Sequence, residues 1–191
     1  MKPNVLLCGK TGTGKSSLIN FIFNKVVADL GTAEAQTRGI KFYSSDDINI
    51  YDSEGYEIGD KKQRHFHELI FNDFLEKKKN SAVSDRLHAV WYTVSAAGTR
   101  FEDIDNQYLN MIQKNGFPVC ILLTKIDEVS EPQLKKLSED IHRKQPNLSI
   151  FNLSTKEHVQ EYCHFKELMD WSKVIPEKAL KNFRKSIDKS C

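Results

Sequence analysis

Gly9-Lys10-Thr11-Gly12-Thr13-Gly14-Lys15-Ser16 fills every fixed position of the pattern G-x-x-x-x-G-K-[ST]. The apolar run Val5-Leu6-Leu7-Cys8 precedes it as a short buried strand, and Ser17-Leu18-Ile19-Asn20-Phe21-Ile22-Phe23 follows as the opening of a helix. In a strand–turn–helix of this kind the glycines let backbone N–H groups turn inward around phosphate oxygens, and the helix N-terminus adds partial positive charge. Lys15 then reaches the terminal phosphates and Ser16 can ligate magnesium.

The bulk composition limits what this loop can belong to. A chain of 191 residues, 39% hydrophobic and 28% charged, can bury one good core and is expected to form one nucleotide-binding domain. The net charge of +2 is too small to mark a dedicated nucleic-acid binder and implies no acidic substrate. Cys8 and Cys120 fall in apolar strand-like runs, Cys163 in a helical stretch, and Cys191 is the last residue, so no disulfide or zinc spacing emerges. A reducing, cytoplasmic interior is the expected compartment. Met1-Lys2-Pro3-Asn4 shows no signal-peptide pattern, and no apolar run approaches a membrane span.

Outward from the loop, short apolar runs alternate with amphipathic stretches, the pattern of a mainly parallel sheet covered by helices on both faces. Asp29 to Gly39 is polar with two glycines and reads as a mobile loop. Ile40-Lys41-Phe42-Tyr43 and Ile48-Asn49-Ile50-Tyr51 read as the one antiparallel pair, at a sheet edge. Asp60 to Lys79 predicts a charged helix with Phe66, Leu69, Ile70 and Phe74 inward, its stripe widened by Phe71 and Leu75; Lys77-Lys78-Lys79 is its solvated end. Ala89 to Val94, Pro118 to Leu123 and Leu148 to Leu153 predict further strands, six in all, with Trp91 and Tyr92 in the sheet core. Helices are expected around Ile104 to Ile112, over Glu131 to Lys144 and over Val159 to Trp171, with Pro176 ending or kinking the last.

Three more segments fall at the C-terminal ends of predicted strands, the edge where open α/β sheets bind ligands. Asp52-Ser53-Glu54-Gly55 supplies D-x-x-G, whose aspartate can hold magnesium through a water and whose glycine N–H can meet a terminal phosphate. Asp127 of Thr124-Lys125-Ile126-Asp127 can accept hydrogen bonds from the guanine N1–H and exocyclic amine, donors that adenine does not present together. A buried carboxylate left without those donors is costly, so the residue selects the base by penalty as well as attraction. Lys125 can pack its stem along the ring, and a backbone N–H of Ser154-Thr155-Lys156 can reach the guanine carbonyl.

This combination, with Ser17-Leu18-Ile19-Asn20 and Thr37-Arg38-Gly39-Ile40, resembles the TRAFAC-class GTPases from about Val5 to about Trp171, and within them the Era/TrmE-like family of ribosome-binding or HSR-related GTPases. The octapeptide also matches the AIG/GIMAP and septin-like branch. The resemblance implies a three-layer P-loop G domain over residues 1–172, binding GTP or GDP through Gly9 to Ser17, Thr124, Lys125, Asp127 and Ser154 to Lys156. It implies magnesium held by Ser16, Thr37 and Asp52, with Thr37 the switch-loop threonine and Asp52 to Gly55 the start of a second switch.

Three departures shape the expected chemistry. Thr124 stands where many relatives carry asparagine, which predicts a less rigid loop with retained guanine specificity. Tyr56 replaces a water-orienting glutamine, so intrinsic hydrolysis should be slow. Gly12 replaces the asparagine of potassium-activated relatives, so potassium assistance is not supported. Catalysis is expected from Lys15, magnesium, the Gly55 N–H and Thr37, with Arg38 or Arg100 as the positive finger or merely a surface arginine. The readings that compete are a slow GTPase switch with an unknown effector or activating protein, a septin- or AIG-like module that assembles as a nucleotide-dependent homodimer, and an ATP-using kinase, which leaves Asp127 unexplained. Of the six histidines, His65 and His67 most invite a metal reading, but on a helix they point to different faces with no cysteine or third ligand nearby, and they read as solvated helix residues. Residues 173–191 carry Lys173, Lys178, Lys181, Arg184, Lys185 and Lys189 beside an apolar face, and read as a basic helix or linker that packs on the domain, leads to an absent segment, or lies on a membrane surface. Ribosome or membrane association does not follow from the residues.

Overall fold

Alternate residues of β1 (Asn4–Gly9) serve two cores, and the whole strand is buried between them. Leu6 and Cys8 join one apolar cluster, Val5 and Leu7 the other. The structure is a computed structural model; it describes residues 2–23, 34–37, 39–57, 60–79, 81–82, 84–98, 100–156 and 164–188, with the backbone alone at 34–37, 60–63 and 177–188. The central strands β4 (Asn49–Ser53), β1, β5 (Ala89–Ser95), β6 (Val119–Thr124) and β7 (Ile150–Asn152) are parallel. Their near-continuous apolar runs are what a sheet buried on both faces requires.

All six predicted strands are present, and a seventh short one joins them. The sheet order is β2-β3-β4-β1-β5-β6-β7, in which β2 (Glu34–Thr37) pairs antiparallel with β3 (Ile40–Ser44), and β3 pairs antiparallel with β4. The polar segment expected as a loop therefore contains an edge strand, and there are two antiparallel pairings rather than one. An edge strand is held by backbone hydrogen bonds on one side only, so it needs no apolar pattern. Residues 29–33 and 38 of that segment lie outside the described residues.

One face of the sheet carries α1 (Lys15–Ile22) and α6 (Phe165–Asp188), which bury Leu18, Ile19 and Leu168 against Val5, Leu7, Trp91 and Leu122. Helix α6 runs past the expected end at Trp171 and passes through Pro176, while residues 159–163, where the expected helix starts, lie outside the described residues. A proline removes one intrahelical donor, but here the helix does not end. It is pinned upstream, where the buried Trp91 Nε1–H donates to Ser172 Oγ (3.0 Å) and Ser172 donates to Leu168 O (2.8 Å). The expected boundary at residues 172–173 falls inside this one helix.

The opposite face carries α2 (Asp60–His67), a π-helical stretch Glu68–Leu75, α3 (Glu76–Lys79), α4 (Asp103–Lys114) and α5 (Glu131–Lys144). The π stretch explains the widened apolar stripe. With i→i+5 bonding the turn holds an extra residue, and Leu69, Ile70, Phe71, Phe74 and Leu75 are all buried. Of the lysine run, Lys77 pairs with Asp73, while Lys78 lies over the Tyr51 ring and donates to its hydroxyl. No helix among the described residues is long and apolar enough to cross a membrane.

Candidate functional site

The loop between β1 and α1 turns on three glycines with positive φ, Gly9, Gly12 and Gly14, where any side chain would be strained. Gly9 has φ 143°, and a Cβ there would lie 2.3 Å from Thr93 Oγ1 and 2.5 Å from Thr93 O. Gly14 caps α1 in the left-handed region, with φ 88° and ψ 17°. Thr93, which the motifs did not indicate, closes the back of the loop. Its hydroxyl lies 2.7 Å from that of Thr13 and donates to Cys8 O at 3.1 Å. Lys15 is 8% exposed, and its Nζ donates to Gly9 O (3.1 Å) and Lys10 O (2.9 Å). Burial pulls the Lys15 ammonium below its usual range, while Asp52 and Cys8 hold it up. A buried cation held only by two carbonyls is poised to receive an anion.

A cavity of about 580 Å³ opens over this loop. Thr11, Gly12, Gly14, Lys15, Ser16 and Ser17 form one wall and Gly39, Asp52, Glu54 and Gly55 the other. Ser16 is exposed at its floor. Burial pushes Asp52 up to about 6, against the opposing pull of Lys15 and Lys41, and its Oδ1 is a buried oxygen with no hydrogen-bond partner among the described residues. An orphaned carboxylate oxygen across from a serine hydroxyl fits a magnesium ion with its water. The backbone of Thr37 lies in β2 opposite Ile40; its side chain and Arg38 lie outside the described residues.

A second cavity of about 120 Å³ continues from the first, sharing Gly14, Ser17 and Lys125. Thr124, Asp127, Leu153, Ser154, Thr155 and Lys156 line it. Lys125 adopts a left-handed backbone (φ 55°), the one non-glycine residue to do so among those described. The Asp127 side chain is 6% exposed; Ser154 Oγ donates to its Oδ1 (2.7 Å) and Lys156 Nζ sits 2.7 Å from its Oδ2. Burial alone would raise this carboxyl, but the hydrogen bonds from Lys156 and Ser154 outweigh it and hold Asp127 below the usual carboxylate range. Thr124, the residue expected to loosen this motif, instead ties it down: its hydroxyl donates to Thr13 O across the fold at 2.6 Å.

Sequence reasoning missed the surroundings of Tyr56. Its side chain is 1% exposed and turned away from the cavity, packed on Phe66 and Tyr108. Its hydroxyl donates to Asp105 Oδ1 (2.5 Å) and lies 2.9 Å from Tyr92 OH. Asp105 on the apolar stripe of α4, beside Tyr108, Leu109 and Ile112, was the available signal. Lys10 does not point into the cradle but pairs with Glu102 at the start of α4. Arg100 is exposed after the turn Ala96–Gly98. His88 is buried, and its Nδ1 accepts from Asn4 N–H at 2.9 Å. Among the described residues no cluster of three His, Cys, Asp or Glu could hold a metal.

Comparison with known proteins gives this geometry a context. The 50S ribosome-binding GTPase family matches residues 4–125. The probable GTP-binding protein EngB of Aquifex aeolicus (strain VF5) is 24% identical over 159 residues, spanning 81% of this chain and 83% of that protein. Its counterpart from Wolbachia sp. subsp. Drosophila simulans (strain wRi) is 30% identical over 162 residues, spanning 81% and 78%. Among solved structures, a probable GTP-binding protein engB aligns with a TM-score of 0.68 at 15% identity, covering 92% of this chain and 99% of that one. Era in complex with MgGDPNP and nucleotides 1506-1542 of 16S ribosomal RNA aligns with a TM-score of 0.59 at 22% identity, covering 93% and 57%. At these identities the structures speak for the fold alone. None of these relatives is an AIG or septin protein. The family match over residues 4–125 spans the phosphate loop, D-x-x-G and strands β1 to β6, well over half of the chain, and the chain belongs to the 50S ribosome-binding GTPase family.

Proposed function

We propose that this protein binds GTP and GDP with magnesium, hydrolyses GTP slowly to GDP and phosphate, and acts as a molecular switch. The observation that carries the reading is the joining of two cavities through Gly14, Ser17 and Lys125, one walled by phosphate-directed groups and the other ending at the Asp127 carboxylate. A phosphate chain in the first would place a base in the second. Asp127, kept ionised by Ser154 and Lys156, offers acceptors to the guanine N1–H and amine.

Lys15 would leave the carbonyls of Gly9 and Lys10 for the phosphate oxygens and neutralise charge there as it develops. Ser16 and Asp52 would hold magnesium, which supplies further charge neutralisation when bound; Thr37 is the third proposed ligand. The Gly55 N–H is the group left to place the attacking water, because the Tyr56 hydroxyl is engaged with Asp105 and Tyr92. Nothing at position 56 can orient that water, which supports a slow intrinsic rate. Arg100 is the described candidate for a positive finger, worth about 10³–10⁵ in rate for related chemistry.

Phosphate release by the purified chain with GTP or ATP, with and without magnesium, tests the reading. GTP turnover that requires magnesium and is lost in Lys15→Ala is expected. Equal competition by ATP would remove the base assignment. Size analysis with GDP and with a non-hydrolysable GTP analogue would show whether any dimer depends on the nucleotide.

A further inference from the structure

Three buried side chains from three separate elements converge behind the cradle. Tyr56 follows D-x-x-G, Tyr92 lies on β5 and Asp105 on α4, and they are 1%, 0% and 3% exposed. Asp105 Oδ1 accepts from Tyr56 OH (2.5 Å) and from Tyr92 OH (2.8 Å), and Oδ2 accepts from Glu102 N–H (2.9 Å). A carboxylate in an apolar cluster survives only with such a set of donors. Burial drives both tyrosine hydroxyls well above their usual range, with Asp105 adding to the effect, so they remain donors at every working pH.

The other side of Tyr56 faces the cradle. Its carbonyl accepts from Thr11 N–H (2.9 Å), and Lys10 and Tyr56 form a parallel backbone bridge. Gly55 O accepts from Thr11 Oγ1 (3.1 Å). The approach is so close that a Cβ on Gly55 would lie 2.6 Å from the Thr11 backbone. The loop is clamped from α4 as well, since Lys10 pairs with Glu102, whose own amide is bound by Asp105. One carboxylate thus fixes the main chain of Gly55 and Tyr56, whose two carbonyls both accept from Thr11, against the phosphate loop.

From this we infer that Asp105 is a positioning residue for GTP hydrolysis: through the Tyr56 hydroxyl it holds the main chain of Gly55 and Tyr56 at the cradle, so that the Gly55 N–H does the work a side chain at position 56 does not. The inference rests on the hydrolase reading above. It follows from preorganisation, because a donor that must be fixed before the water arrives loses its effect when the segment bearing it can move. Asp105 never touches the nucleotide, so its loss acts on the rate and leaves binding nearly intact.

Single-turnover GTP hydrolysis, GTP affinity and Tm are measured for the unaltered chain, Tyr56→Phe, Asp105→Ala, the double variant and Tyr92→Phe. Tyr56→Phe, which lacks the donor, and Asp105→Ala, which lacks the acceptor, each slow hydrolysis about tenfold or more with GTP affinity changed less than threefold. The double variant is no slower than the slower single, because each single variant already removes the Tyr56–Asp105 bond. Tyr92→Phe loses a hydroxyl from the same buried network but keeps the Tyr56–Asp105 bond; its Tm falls comparably while its rate stays within twofold. Should Asp105→Ala not fold, Tyr56→Phe, which keeps its ring on Phe66 and Tyr108, decides alone. Rates unchanged or raised in Tyr56→Phe, or lowered equally in Tyr92→Phe, overturn the inference. Absence of turnover in the unaltered chain removes the hydrolase reading instead, and this inference with it.

Discussion

Replacing Asp127 with asparagine tests the base-reading end of the site most sharply. The substitution keeps the shape and keeps an acceptor for Ser154 Oγ, now 2.7 Å from Asp127 Oδ1. It removes the negative charge and turns one of the two oxygens into a donor. Guanine then loses one charge-assisted hydrogen bond, weakens another, and sets its amine against an N–H₂. Hydrogen bonds to charged groups contribute about 1.5–3 kcal/mol each. Against this, the aspartate must first give up Lys156, but that lysine is 56% exposed at its side chain, and solvent takes over most of what such a pair contributes. The net loss for GDP is about 3–4 kcal/mol, or about 10²–10³ in Kd. Equilibrium titration with a fluorescent GDP analogue, and competition by unlabelled nucleotides, measures it. Xanthine carries a carbonyl where guanine carries the amine, so the asparagine variant should recover much of its affinity with XDP. GDP bound as tightly by the variant as by the unaltered chain would refute the role given to Asp127.

Asp52 provides a pH test. Burial lifts its carboxyl from 3.8 to about 6, so the native state keeps a proton that the unfolded chain gives up, and stability falls as pH rises through that window. The drop from this group is about 3 kcal/mol; urea unfolding of the ligand-free protein at pH 4 and pH 7 should show it, and Asp52→Asn should lack it. At the other end of the cradle, Thr124→Val leaves the buried Thr13 carbonyl without the donor it has at 2.6 Å, costing about 1–3 kcal/mol of stability and loosening nucleotide binding, whereas Thr124→Ser should retain both. Identical Tm values for the valine and serine variants would count against that contact.

The parts of this fold that sequence revealed are those written locally. The glycine spacing of the loop, the apolar runs of β1, β5 and β6, and the positions of D-x-x-G and of Asp127 each depend on residues close together in the chain, so their pattern survives in one dimension. The edge strand β2 did not, because its pairing with β3 uses main-chain groups that every residue carries. The π stretch showed itself only as a stripe too wide for a 3.6-residue period, a sign that one residue too many had been placed on the inner face. Tyr56 was recognised as occupying a catalytic position, but where its ring goes depends on partners 36 and 49 residues away. The same holds for Thr124, whose hydroxyl finds its acceptor 111 residues earlier and so reverses the expectation of a slack loop.

The way α6 is fastened to the sheet has an optical consequence. The chain contains two tryptophans, and both stand at this seam: Trp91 is fully buried with its indole N–H on Ser172, and Trp171 is half-buried on α6, edge-on to Phe151. Neither lines the nucleotide cavities. Intrinsic emission from this protein is therefore a gauge of whether the C-terminal helix is seated. Peeling that helix away would wet both indoles and shift their emission to the red, with no label attached and no nucleotide present.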